Sequence, residues 1–70
     1  MASKITNIRN NRNQIIGYVR DDGDKLTAWH FKKGVVGFYI KKSNLTLDSK
    51  GKIFTYGDAA ASLVYMAENN

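Results

Sequence analysis

The chain predicts a mainly β fold, an antiparallel meander of about six strands made from three hairpin repeats, closed by a C-terminal α-helix. Three observations predict it. "IIGYV" at residues 15–19 returns as "VVGFY" at residues 35–39 and as "IFTY" at residues 53–56, where Thr55 takes the place of the glycine. An aliphatic followed by threonine precedes each copy, as Ile5-Thr6, Leu26-Thr27 and Leu45-Thr46. The copies lie twenty and then eighteen residues apart, and a period near twenty signals a repeated supersecondary unit.

Each unit reads as one hairpin. "RNNRN" separates strands expected at 4–9 and 14–20, "FKKG" those at 25–31 and 34–41, and "DSKG" those at 44–48 and 52–56. "RDDGD" and "KKSN" join the units, and all five segments are rich in residues that favour turns. The strands between them are filled by β-branched, aromatic and threonine residues, and the absence of proline lets every strand pair on both sides. The hairpin units therefore span about 4–20, 25–41 and 44–57 of a single domain, residues 1–70. After Gly57 the pattern changes to "DAAASLVYMAENN", a helix expected at about 58–68. Asp58 is placed to cap it, and Ala60, Leu63, Val64 and Ala67 share one face. So short a helix is marginal alone, which makes it a structural cap on the sheet or on a neighbouring chain.

Strict alternation puts Ile16, Tyr18, Val36, Phe38, Ile40, Phe54 and Tyr56 on one face of the sheet. Ile15, Gly17, Val19, Val35, Gly37, Tyr39, Ile53 and Thr55 fall on the other. Both faces are apolar, so each needs a cover, and one short helix covers only one. Gly17 and Gly37, at equivalent points of two units, have two readings of equal weight: a sheet that curls into a small barrel or ring, or a local bulge.

"LTAWHFKKGVVGFYI" followed by "LTLDSKGKIFTYG" resembles the β-flower proteins, small shallow barrels whose hairpin petals repeat about a pseudo-symmetry axis. The likeness covers roughly residues 5–57. It implies a curled fold of hairpin petals and no settled activity. This chain shows three units rather than four, and Asn11 and Asn13 stand in its first turn where glycine is usual.

Seventy residues without cysteine have no disulfide or thiolate metal site to stabilise them, so self-association is the expected remedy. No run is apolar enough to span a membrane and "MASKITNIRNN" lacks the apolar core of a secretory signal, so a cytoplasmic protein of a bacterial or phage system is expected. With no cysteine and a lone His30 in "AWHF", no nucleophile and base pair is formed, and the protein is expected not to be an enzyme. Asp21, Asp22 and Asp24 lack the spacing of a calcium loop and read as a solvated turn, and no glycine loop opens a helix to cradle phosphate. No metal or cofactor is expected.

Charge position is more informative than the net charge of +5. In a meander all turns within units emerge at one end of the sheet. That end gathers Arg9, Arg12, Lys32, Lys33, Lys50 and Lys52 against Asp48 alone, whereas the opposite end balances Arg20, Lys25, Lys41 and Lys42 against three aspartates. A positive rim beside Trp29 and Phe31 fits phosphate neutralisation with aromatic stacking, and the leading expectation is a binding module for an anionic partner, a nucleic acid or an acidic protein surface. The competing reading of any single lysine is solubility and protection of a strand edge. A second expectation is a homo-oligomer whose face bearing Gly17, Gly37, Val35 and Tyr39 lines a channel or ligand pocket between subunits. A third is a small viral inhibitor of a host protein.

Overall fold

A computed structural model, which describes residues 4–69, places six strands and a helix in the order β1 (Lys4–Arg9), β2 (Ile15–Asp21), β3 (Lys25–His30), β4 (Gly34–Ile40), β5 (Leu45–Asp48), β6 (Ile53–Tyr56) and α1 (Ala60–Glu68). Every strand pairs antiparallel with its sequence neighbour, giving one sheet in the order β1-β2-β3-β4-β5-β6. The meander and its three hairpins are as the repeat predicts. The sheet does not close: β1 and β6 are its edges, so of the two readings of Gly17 and Gly37 the closed barrel or ring is not formed by one chain.

What the repeat encodes instead is a bulge. The pairing skips one residue in each hairpin: between Ile8↔Gly17 and Arg9↔Ile15, between Ala28↔Gly37 and Trp29↔Val35, and between Thr46↔Thr55 and Leu47↔Ile53. The unpaired residues are Ile16, Val36 and Phe54, the second residue of the aliphatic motif in every unit. A bulge resets the period-2 alternation. Ile16 thereby enters the core and Val36 packs against it, on the side of Gly17 and Gly37. The strict-alternation assignment of Ile16 and Val36 to the face of Tyr18 and Phe38 is therefore corrected.

Helix α1 lies over β2, β3 and β4 and buries Ala60, Leu63, Val64 and Ala67, the face its spacing predicts. The glycines let it approach. A Cβ on Gly17 would overlap the Trp29 carbonyl oxygen and come within 2.8 Å of Val64 Cγ1, and one on Gly37 would overlap the Leu47 carbonyl oxygen and Leu63 Cδ1. The space above both glycines is thus filled by the chain's own helix.

The helix begins two residues later than expected, because its first turn is tied to the sheet by Thr46. This fully buried hydroxyl donates to the Gly57 carbonyl at 2.6 Å and accepts the Ala59 N–H at 3.0 Å. Asp58 lies one position before the N-cap residue, Ala59, and its carboxylate accepts the Ala60 N–H at 3.2 Å. The result is a two-layer slab of 33 × 28 × 17 Å. Among the described residues no helix is long and apolar enough to cross a membrane.

Candidate anion-binding edge

Three turns share one end of the sheet, and each is held by a side chain at its start. Asn10 Oδ1 accepts the N–H groups of Arg12 and Gln14, at 2.9 and 3.0 Å. Asp48 Oδ1 does the same for Lys50 and Lys52, also at 2.9 and 3.0 Å. In the middle turn His30 Nδ1 accepts the Lys32 N–H at 3.1 Å. Asn10, His30 and Asp48 are spaced twenty and eighteen residues apart, the period of the repeat. Short polar side chains that bond the backbone two residues on are a recognised turn device. The first turn manages without glycine because Asn13 adopts the left-handed conformation, at φ 62°, that Gly51 adopts in the third at φ 86°.

His30 is 2 % exposed, and its ring is used on both sides. Because Nδ1 accepts a backbone N–H, the proton sits on Nε2, which donates to Glu68 Oε1 at 3.0 Å. This contact fixes the carboxyl end of α1 beneath the middle turn. Tyr65 completes the tie by donating its hydroxyl to the Arg9 carbonyl at 2.9 Å.

These turns bring together all six basic residues that the sequence singles out. Arg9 ends β1 and donates from Nη1 to the Asn13 carbonyl at 3.0 Å, Arg12 lies in the first turn, Lys32 and Lys33 in the second, and Lys50 and Lys52 in or beside the third. All six are exposed. Asp48 is the acid expected here, and its Oδ1 is engaged by backbone N–H groups. Glu68 is a second acid at this end, which sequence reasoning missed because the direction of the helix across the sheet is not written in its residues.

At the opposite end, acids and bases pair. Lys41 Nζ contacts both carboxylate oxygens of Asp21, at 2.9 and 3.0 Å, and Arg20 Nε donates to Asp22 Oδ1 at 2.9 Å. The Gly23 backbone N–H, and then Lys41, hold the Asp21 carboxyl below its ordinary value. For Asp22 the Thr27 hydroxyl leads, with Arg20 second. Two of the cations at this end are therefore offset by carboxylates.

Tyr18, Trp29 and Phe38 lie on the face away from the helix, opposite to Gly17, Ala28 and Gly37. Trp29 is half-buried and stacks on Tyr18 with ring centroids 5.2 Å apart, and Phe31 meets it edge-on at 5.8 Å while staying 54 % exposed beside the basic turns. Further along, Lys25 Nζ sits 5.0 Å over the Phe38 ring. Tyr18, Phe38 and Leu47, which the rim argument did not single out, extend this face by pairing with Trp29, Thr27 and Phe38.

The proposed channel set does not share a surface. Gly17 and Gly37 lie under α1, and Tyr39 packs against the core, its hydroxyl donating to Asn44 Oδ1 at 2.7 Å. Val35 pairs with Trp29 and is 41 % exposed. The bulge and the helix separate residues that simple alternation groups together, so the glycine face is a helix seat in this chain.

Fold and site together define a class: an open six-stranded antiparallel meander with a helix on one face and three side-chain-anchored basic turns at one end. The chain matches no family model, no curated protein and no solved structure.

Proposed function

We propose that the protein is a non-enzymatic binding module that engages an anionic partner through its basic end, with a nucleic acid strand as the leading partner. The observation that supports the reading is the asymmetry between the two ends. At one, Asp21 and Asp22 are matched with Lys41 and Arg20; at the other, three anchored turns display Arg9, Arg12, Lys32, Lys33, Lys50 and Lys52 along a single edge. Anchored turns fix the backbone from which these cations project, which lowers the part of the ordering cost that the loops would add on meeting a line of phosphates. Phe31, exposed beside the middle turn, is the candidate stacking group nearest the edge, with Trp29 behind it.

The test is fluorescence anisotropy with a labelled single-stranded oligonucleotide, comparing the wild type with a Lys32→Glu, Lys50→Glu double variant. The reading expects the variant to bind weakly at low salt while its circular dichroism and melting temperature stay unchanged, since both side chains are exposed. Equal binding by the two proteins contradicts it. Binding to an acidic protein but to no nucleic acid moves the assignment to that partner.

A further inference from the structure

Among the described residues, the largest apolar side chains are not in the core. The residues buried between sheet and helix are Ile8, Ile16, Ala28, Ala60, Leu63, Val64 and Ala67, three of them alanines, and the largest fully buried side chains are Val64 and Thr46. Trp29, Tyr18, Phe38 and Leu47 are only half-buried, and lie on the face that the helix leaves open. Ile53, which pairs with Leu47, is 57 % exposed, and Tyr56, which pairs with Leu45, is 77 % exposed. A domain this small has little apolar surface to spare, and a patch of this extent on a monomer marks an interaction surface.

We infer that a second copy of this chain covers the open face, sheet against sheet, so that Tyr18, Trp29, Phe38 and Leu47 form a core shared by two protomers. Three features select this occupant. The molecule measures 33 × 28 Å across its two longer axes, so its broad open face is on the scale of the roughly 800 Å² that each partner contributes to a stable interface. The side chains at the centre of the face are uncharged, and of the two cations beside it Arg20 is matched by Asp22, while Lys25, whose Nζ lies over the Phe38 ring, must turn its ammonium to the rim in the pair. The repeat also turns similar residues outward in successive hairpins: Tyr18 in the first, Phe38 in the second and Tyr56 in the third. Such a surface can complement itself about a two-fold axis, and stacked sheets pack at about 10 Å with their side chains interleaved.

A nucleic acid strand fits this face poorly, because the aliphatic members Leu47 and Ile53 give bases nothing to stack on. The pairing touches the proposed function at one point, the stacking role of Trp29. It assigns Trp29 to the shared core and leaves Phe31 and the basic turns accessible at the rim.

Sedimentation equilibrium over a wide concentration range, with fluorescence of the single Trp29, tests the inference. The wild type should weigh twice the 7.9 kDa chain at high concentration. On dilution it should dissociate with a red shift of Trp29 emission. Leu47→Lys should sediment as a single chain, and Ile53→Lys, at a side chain exposed in the single protomer, serves where the first variant fails to fold. A wild type of 7.9 kDa at every concentration overturns the inference. A dimer that tolerates both substitutions, or dissociates without any change in Trp29 emission, does so equally, since its interface must then lie elsewhere.

Discussion

Replacing Gly17 with alanine adds one methyl group at one of the two close contacts between helix and sheet. The new Cβ would overlap the Trp29 carbonyl oxygen, which belongs to the backbone of β3, and would stand 2.8 Å from Val64 Cγ1. Carbon atoms pack best at about 3.5–4.0 Å, so Val64 must retreat by about 1 Å. Val64 is fully buried, and its movement lifts α1 from β2 and β3. The carbonyl has less freedom, because Trp29 is paired with both Tyr18 and Val35. Overpacking a formed core costs about 1–3 kcal/mol, and two clashes, one with backbone, place this change at the upper end. Loss of glycine's freedom in the unfolded chain returns about 0.4–1 kcal/mol, leaving a net cost of about 2 kcal/mol. At about 4–8 °C per kcal/mol for a domain of this size, the melting temperature should fall by about 8–16 °C. Thermal melting followed by circular dichroism reads this directly. Gly23→Ala is the control: its φ of 96° disfavours alanine but no atom lies within 4 Å of the added carbon, so its cost is conformational only, about 1 kcal/mol. A Gly17→Ala protein as stable as the wild type would show that the helix does not sit where the glycines allow it.

Two further outcomes follow from the hydrogen-bonding pattern. Thr46→Val keeps the shape but leaves the Ala59 N–H and the Gly57 carbonyl without the hydroxyl that joins sheet to helix; urea denaturation should show a loss of about 1–3 kcal/mol. The carboxyls of Asp21 and Asp22 titrate below their ordinary value of 3.8 in the folded protein, so the unfolded chain binds protons more readily. Their contribution to stability is therefore complete above that value and is lost as pH falls through and below it. Melting temperatures across an acid series should show this decline, and an Asp21→Asn, Asp22→Asn double variant should flatten it.

The strands and turns were legible because a period of twenty residues marked by turn-forming segments leaves few alternatives for the chain. Faces were harder to assign. A bulge is a property of register between two strands, and nothing in "IIGYV" alone says that Ile16 will go unpaired and join Gly17 on the helix side. The glycines signalled a close approach without saying what approaches; the answer, Val64 and Leu63, lies nearly fifty residues away in one case and twenty-six in the other. The clustering of basic turns followed from topology alone and was readable. The anchors that hold those turns were readable in principle, since Asn10, His30 and Asp48 keep the repeat spacing, but three different residue types conceal a shared role. Glu68 reaches the basic end only through the path of the helix, which depends on packing against a sheet whose faces the bulges had reset.

The most direct measurement of the central claim is the salt dependence of wild-type binding to a single-stranded oligonucleotide. Cations that neutralise phosphates release counterions, so the logarithm of the affinity should fall linearly with the logarithm of salt concentration, by about 0.7 for each phosphate neutralised. The basic edge predicts a slope of several phosphates, reduced when Lys32 and Lys50 are reversed in charge. A flat salt response, or a steep one that those substitutions leave unchanged, would contradict the assignment of function to this edge.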